Sequence, residues 1–157
     1  MFWNGHSWSK QWPKTATDGK FVSVSAGSFN TCGLTDKGLI ECFGDDLAGQ
    51  SNGLKLKKAT NGKFVGVSAG SYNTCGIIEK GLIECFGSDK HGQSNGRKPT
   101  KATDGKFVGI SAGSGHMCGV TDKGLIECFG NDHSGQCNSN VANEQRISTL
   151  VSNTAAN

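Results

Sequence analysis

The sequence predicts an all-β protein that is built from copies of one short-stranded unit. A 43-residue repeat runs through the 157-residue chain, and Lys20–Gln50, Lys63–Gln93 and Lys106–Gln136 share 20 of 31 positions. Gly and β-branched residues divide each copy into short alternating runs, which is typical of β-strands. No amphipathic stretch of about 12 residues has the period of a helix. These observations exclude a helical repeat.

The middle copy shows how one unit is divided into strands. Phe64–Ala69 alternates apolar and small residues and predicts a first strand, which Gly70 ends. Asn73–Ile78 predicts a second strand, and Leu82–Phe86 predicts a third. Between these two strands lies Glu79-Lys80-Gly81, a turn in which the glycine takes a positive φ. The residues from 87 to 93 are expected to form a loop.

The length of that turn fixes the register of the hairpin. With Lys37 at the centre of the turn in the first copy, Cys32 lies opposite Cys42. Leu34 then lies opposite Ile40 on the same face of the sheet. The same register in the other copies places Cys75 opposite Cys85 and Cys118 opposite Cys128.

Two alternatives stay open for these six cysteines. Opposed residues have Cβ atoms about 4.5–5.5 Å apart, so cross-strand disulfides are geometrically possible. The other alternative is small buried thiols, which a reducing compartment favours. A spacing of ten with one pair in each unit does not suit zinc. Cys137 stands where the other copies have Ser51 and Ser94, so this odd thiol is either incidental or available for an intermolecular bridge.

Composition limits the classes of partner. The net charge of +3 is too small to indicate nucleic acid, and no run of about 18 apolar residues indicates a membrane span. The first residues are too polar for a signal peptide, so we expect an intracellular protein, cytoplasmic or nuclear. Repeated lysines predict a mild basic ring that neighbouring acids largely cancel: Lys20, Lys63, Lys106, Lys37, Lys80 and Lys123.

Catalytic patterns are missing from the sequence. The repeated Asp46, Asp89 and Asp132 are expected to shape loops as Asx-turns. Repeated glutamates occur once in each unit, which separates them by a whole unit and disfavours a general acid–base pair. No nucleophile elbow, phosphate loop or zinc-protease pattern is present. We therefore expect no catalytic residues, no metal, no cofactor and no enzymatic activity.

The segment from Val67 to Gln93 resembles a known repeat. Its Val-Ser-Ala-Gly, Thr-Cys, Lys-Gly-Leu-Ile-Glu-Cys-Phe-Gly and Gly-Gln elements resemble the regulator of chromosome condensation repeat family over about 20–138. The resemblance implies a β-propeller, usually with seven blades. The family histidine is retained only as His116, where a packed, hydrogen-bonded role is expected. The other departures are Asn30, Asn73, Phe43, Phe86, Phe129, Ser51, Ser94 and Cys137.

The repeat also divides the chain. The predicted fold is a partial β-propeller of three intact blade-like repeats with fragments at both ends. The predicted divisions are 1–19 as a remnant of a preceding repeat, 20–62, 63–105 and 106–138 as the three repeats, and 139–157 as a polar tail or decayed fourth repeat. Closed propellers usually have 4–8 blades. Three blades therefore predict a piece of a longer protein, a dimeric ring of six or more blades, or an open arc.

The positions that differ between copies are the candidates for recognition, because loops on a constant scaffold carry binding specificity. The candidate partner-binding loop residues are Leu47, Ala48, Lys90, His91, His133 and Ser134. We expect a non-enzymatic protein-interaction module with a protein partner and possible self-association. The family resemblance implies two alternatives. One is a guanine-nucleotide exchange regulator of a small GTPase, and the other is a protein inhibitor resembling beta-lactamase inhibitor protein II.

Overall fold

A computed structural model describes residues 14–54, 57–95 and 98–137. These residues form three antiparallel sheets of three strands each, and the strands follow one another in sequence order. No α-helix lies in these ranges, and a short 3-10 turn spans Asn52–Leu54. The strands are β1 Phe21–Ala26, β2 Asn30–Thr35, β3 Ile40–Gly44, β4 Phe64–Ala69, β5 Asn73–Ile78, β6 Ile83–Gly87, β7 Phe107–Ala112, β8 His116–Thr121 and β9 Ile126–Gly130.

We call the three sheets blade one (β1–β3), blade two (β4–β6) and blade three (β7–β9). The all-β prediction is confirmed. Of the end fragments predicted at 1–19 and 139–157, residues 1–13 and the whole of 139–157 lie outside the described residues. No helix in the part of the chain that the structure describes has the length and apolar character needed to cross a membrane.

The predicted hairpin register is confirmed. Cys32 lies opposite Cys42, and Leu34 lies opposite Ile40. Gly81 has a φ of 76°, as the turn requires. The third strand of blade two begins at Ile83, one residue later than predicted. The reason is that the carbonyl of the preceding residue, Leu82, accepts a hydrogen bond from Ile78 N–H (2.8 Å) and closes the turn.

Each blade packs one face of its sheet against the next blade. The trailing face is the one that bears the cysteines, and the leading face of the following blade covers it. The side chain of Ile40 on blade one lies against Gly76 on blade two, where a Cβ atom would approach Ile40 Cδ1 to 2.7 Å. Ile83 of blade two lies against Gly119 of blade three in the same way. A glycine on each central strand therefore receives an isoleucine from the preceding blade.

Hydrogen bonds repeat at the same contacts. Ala69 N–H donates to Ser25 Oγ (3.0 Å), and Ala112 N–H donates to Ser68 Oγ (2.9 Å). These bonds join the first strands of successive blades, which lie side by side. The blades are therefore arranged as in a propeller, with the first strand of each blade innermost.

A single residue of each linker extends the outer edge of a blade. Ile40 and Lys57 form an antiparallel bridge, with N–H to O distances of 3.0 and 2.8 Å. Ile83 and Thr100 form the equivalent bridge at blade two. The linker thus forms one rung of a fourth strand before it crosses to the next blade.

The two end faces of the arc are uncovered within the described residues. Ile126 on the trailing face of blade three is 61% exposed, whereas its counterparts Ile40 and Ile83 are fully buried. Thr31 on the leading face of blade one is exposed, whereas Thr74 on blade two is fully buried. The described residues therefore form an open arc of three blades.

Candidate protein-binding face

The candidate loop residues lie at one end of the blades. In an antiparallel blade, the loop between the first two strands and the loop after the third strand lie at the same end. Backbone hydrogen bonds join the two loops in each blade, for example from Asp45 N–H to Phe29 O (2.9 Å). We call this surface the loop face, and it consists of Phe29, Leu47, Ala48, Tyr72, Lys90, His91, Gly115, His133 and Ser134.

Repeated polar residues hold each loop from beneath. Gln50 is fully buried, and its side-chain carbonyl accepts a hydrogen bond from Ala48 N–H (2.9 Å) while its amide donates to Asp45 (2.7 Å). The carboxylate of Asp46 accepts hydrogen bonds from Ser51 N–H and Gly53 N–H, both at 2.7 Å. The loop shape is therefore fixed by residues that recur in each copy. The side chains above it are free to differ.

The part of the loop face between blades one and two is apolar and exposed. Leu47 is 95% exposed, Phe29 is 56% exposed and Tyr72 is 46% exposed. The rings of Phe29 and Tyr72 lie 6.0 Å apart at an interplanar angle of 40°. Exposed aromatic side chains of this kind are enriched among residues that dominate protein–protein binding energy.

The part between blades two and three is polar. The imidazole rings of His91 and His133 lie 6.3 Å apart and are nearly perpendicular. A groove of about 420 Å³ runs beside them and is lined in part by Tyr72, Lys90 and His116. The structure thus brings the variable residues of successive blades together on one continuous surface.

His116, for which a packed and hydrogen-bonded role was expected, is less buried than its counterparts because it lies on the last described blade. Its counterparts Asn30 and Asn73 are buried, whereas His116 is half-buried and lines the groove. The imidazole packs against Gly113, where a Cβ atom would meet it at 2.3 Å. Because no following blade covers it among the described residues, the ring is accessible from the loop face.

The cysteine pairs lie away from the loop face, on the trailing faces. Disulfides join Cys32 to Cys42 and Cys75 to Cys85, with Cα atoms 4.0 Å apart in each pair. A third disulfide joins Cys118 to Cys128. Of the two alternatives for these residues, the structure therefore contains disulfides. Such bonds are typical of oxidising compartments, whereas the intracellular location expected from the first residues remains a prediction.

Cys137 is the free cysteine among the described residues. Its thiol donates to the carbonyl of Asn131 (3.3 Å), and its backbone N–H donates to Asp132 (2.7 Å). Burial, and secondarily the carboxylate of Asp132, raise the pKa of the Cys137 thiol. A raised pKa reduces the thiolate fraction at neutral pH, and therefore the reactivity of this cysteine.

The aspartates and glutamates that recur in each copy accept hydrogen bonds within the fold. The aspartates of the three loops accept hydrogen bonds from the backbone N–H five residues later, so they shape the loops as expected, but not through the predicted Asx-turn, which would join the side chain to the N–H two residues later. Glu84 is buried, accepts a hydrogen bond from Thr60 N–H (2.9 Å), and lies 3.0 Å from Lys57 Nζ. Among the residues described, no group of three or more His, Cys, Asp or Glu side chains is placed to hold a metal ion.

The repeated lysines at the hairpin turns lie at the opposite end of the blades from the loop face. Lys37 pairs with Asp18, and the hydrogen bond and charge of that carboxylate raise the pKa of Lys37. Lys80 donates to Asn61 (2.8 Å). These turn lysines thus have polar partners in the linker that precedes their blade.

Sequence reasoning missed the glutamines that shape the loops, namely Gln50 and Gln93, which are buried, and Gln136, which is half-buried. The signal was available, because Gly-Gln is identical in all three copies while the residues just before it differ. An identical polar residue beside variable neighbours indicates a scaffold role. Its burial under the loop depends on the tertiary fold.

The comparison with known sequences supports the repeat assignment. The family model of the regulator of chromosome condensation (RCC1) repeat matches residues 21–50 and 107–136. No curated protein sequence matches the chain.

Solved structures show the same fold. Human WBSCR16 is similar at a TM-score of 0.65 and 18% identity, over 74% of this chain and 34% of that chain. The CRINKLY WD40 ectodomain of the Arabidopsis thaliana receptor kinase ACR4 is similar at 0.60 and 23% identity, over 76% and 43%. Prp20p from Saccharomyces cerevisiae, studied for its binding to Gsp1p and histones, is similar at 0.56 and 19% identity, over 70% and 33%.

The chain thus spans less than half the length of these solved structures. At these identities the likeness establishes the fold alone. The matched segments flank residues 64–93, which repeat the same sequence pattern and form the same three-stranded blade. The chain is a partial β-propeller of three described blades, in which residues 21–50 and 107–136 match the regulator of chromosome condensation (RCC1) repeat.

Proposed function

We propose that the chain is a non-enzymatic protein-interaction module that binds a protein partner through the loop face. The observation that carries this proposal is the combination of a constant scaffold with variable, exposed side chains. The repeated glutamines and aspartates hold the three loops alike, whereas the outward residues change from Leu47 to Lys90 to His133. Loops that vary on a rigid scaffold are the usual location of recognition.

The chemistry of the face indicates what the partner offers. Phe29, Leu47 and Tyr72 present apolar surface to solvent, which favours an apolar side chain of the partner. Lys90 and the two imidazoles beside it favour an adjacent carboxylate or hydrogen-bond acceptor. The proposed partner therefore presents an apolar anchor next to an acidic or polar group.

Three variants test this proposal in quantitative pull-downs. The loop-face variant replaces Phe29, Tyr72 and Lys90 with Ala, and a second loop-face variant replaces Lys90, His91 and His133 with Ala. The matched control replaces with Ala the turn lysines Lys37, Lys80 and Lys123, which lie at the end of the blades opposite the loop face. Proteins retained by the wild type and the control but lost from both loop-face variants are then purified and titrated by calorimetry. Equal affinity of a purified partner for all three variants would refute the loop-face assignment.

Of the two alternatives implied by the family resemblance, nucleotide exchange has one indirect support. Prp20p, which has the same fold, was studied for binding to Gsp1p. In this chain the segment from the third strand to the Gly-Gln pair has the same length in all three copies, so this segment contains no insertion that would enter a nucleotide site. A nucleotide-exchange assay over a panel of small GTPases separates this activity from simple binding. Inhibition of a β-lactamase has no specific support among the contacts described here.

We further propose that the arc associates with itself to extend the ring. The support is the pair of uncovered sheet faces at its two ends, since open apolar sheet faces favour pairing with another sheet.

A further inference from the structure

The two faces that no described residue covers, the leading face of blade one and the trailing face of blade three, are the two halves of an interface that the chain already forms twice. Between blades one and two, the buried residues of the trailing face include Leu34 and Ile40, and those of the leading face include Phe64 and Phe86. The uncovered trailing face of blade three presents Val120 and Ile126 at the same positions. The uncovered leading face of blade one presents Phe21 and Phe43 at the positions of Phe64 and Phe86.

The isoleucine and the glycine that meet at the centre of each formed interface are both present on the uncovered faces. At the formed interfaces, Ile40 contacts the region of Gly76, and Ile83 contacts that of Gly119. The equivalent isoleucine on blade three is the exposed Ile126, and the equivalent glycine on blade one is Gly33. A groove of about 680 Å³ opens on that face of blade one and is lined in part by Phe21, Gly33 and Phe43.

The donor and the acceptor of the polar contact are also present on the uncovered faces. Ser25 and Ser68 each accept a hydrogen bond from the alanine N–H of the next blade. On blade three the equivalent serine is Ser111, which is exposed, and on blade one the equivalent alanine is Ala26, also exposed. A serine hydroxyl and an alanine N–H are thus placed to repeat this bond between two chains.

The edge rung can be repeated as well. Ile40 pairs with Lys57 through two backbone hydrogen bonds, and the residue equivalent to Lys57 at the start of blade one is Lys14. Unpaired backbone groups at a sheet edge are a template for another strand. The segment at Lys14 is therefore placed to form with Ile126 of another chain the rung that Lys57 forms with Ile40.

We infer that a second copy of this chain docks head to tail, with the trailing face of blade three on the leading face of blade one. This inference rests on the proposed self-association and is independent of binding at the loop face. The two surfaces differ, so the contact is heterologous, and it closes a ring when two copies place it twice. The described residues of two copies supply six blades, within the 4–8 of closed propellers.

The experiment measures the oligomeric state by sedimentation velocity over a wide range of concentration. Ile126→Glu places a charge in the centre of the trailing face and is expected to raise the dissociation constant about thirtyfold or more. Thr31→Arg does the same on the leading face, where Thr31 is exposed but Thr74 and Met117 are fully buried. The matched control is Val108→Glu, because Val108 is 62% exposed and its blade-two counterpart Val65 is 58% exposed, so no blade covers this position.

Mixing the two variants tests the polarity of the contact. Each variant alone lacks one of the two faces and is expected to be a monomer. In the mixture, the intact trailing face of the Thr31→Arg chain meets the intact leading face of the Ile126→Glu chain, so a heterodimer is expected. Circular dichroism of each variant verifies that the fold is retained.

Several outcomes would overturn the inference. Wild-type chain that remains monomeric at all concentrations would do so, as would association that Ile126→Glu leaves unchanged. If Ile126→Glu abolishes association but Thr31→Arg does not, two trailing faces pair with each other and the head-to-tail arrangement is wrong.

The failure of the loop-face proposal is distinguishable from the failure of this inference. If the wild type associates as expected but the loop-face variants still bind a purified partner normally, only the loop-face proposal fails.

Discussion

The trailing faces of blades two and three have nearly the same sequence and fold but different surroundings. Ile83 on blade two is fully buried under blade three, and Ile126 on blade three is 61% exposed. The disulfide of blade two is buried, whereas that of blade three is half-buried. A blade of this kind therefore does not bury its own apolar face. As in other repeat proteins, its stability depends on the contact with its nearest neighbour.

The largest difference in the free energy of unfolding is expected between substitutions of Ile83 and Ile126. Ile83→Ala removes a fully buried side chain that lies against Gly119 and is expected to lower the free energy of unfolding by about 2–5 kcal/mol. Ile126→Ala in the monomer is expected to change it by no more than about 0.5 kcal/mol, because the side chain is exposed. Urea unfolding at a concentration where the chain is monomeric measures both. Equal losses would show that blade three has a cover within the monomer.

A smaller difference in the free energy of unfolding is expected between substitutions of Glu84 and Glu127. Glu84 is buried against Lys57 and Thr60, so Glu84→Ala is expected to cost about 2–3 kcal/mol because it leaves a partly buried ammonium and an amide N–H without their acceptor. Glu127 accepts bonds from Thr103 at an exposed site, so Glu127→Ala is expected to cost less than about 1 kcal/mol. Thermal unfolding of the two variants at one pH makes the comparison. A larger effect at Glu127 would contradict it.

The disulfides should differ in their rate of reduction under native conditions. Cys75 is fully buried and Cys85 is 5% exposed, so a reductant reaches that bond only after local opening. Cys118 and Cys128 are half-buried, and we expect their bond to be reduced at least about tenfold faster. Timed alkylation followed by peptide mass spectrometry gives both rates. Simultaneous loss of the two bonds would indicate that the blades open together.

The smallest difference is expected at the turn glycines. Gly81 and Gly124 have φ values of 76° and 75°, so an alanine at either position is strained by about 1–2 kcal/mol. A Cβ atom at Gly81 would also meet Lys106 Cβ at 2.5 Å, whereas nothing lies within 4 Å of the same atom at Gly124. Gly81→Ala is therefore expected to be less stable than Gly124→Ala by about 1 kcal/mol in urea unfolding. Equal stabilities would show that the lysine moves aside without cost.

Much of each blade could be predicted from local sequence. The alternation in Phe64–Ala69 predicted its strand, and the Glu79-Lys80-Gly81 turn fixed the register that places Cys75 opposite Cys85. These features depend on residues near one another in the chain. The loop residues Lys90 and His91 could be proposed from their variation between copies, but the groove they form with Tyr72 and His116 could not.

Local sequence is enough to specify the strands, the hairpin register and the repeat that makes all three blades alike, because short-range sterics and side-chain alternation decide those features. Tertiary structure alone decided which identical residues are buried. Gln93 is 2% exposed because blade three covers it, whereas its counterpart Gln136 is half-buried on the last described blade. Burial is a property of the contact between two blades, and one copy of the repeat does not encode whether a neighbour is present.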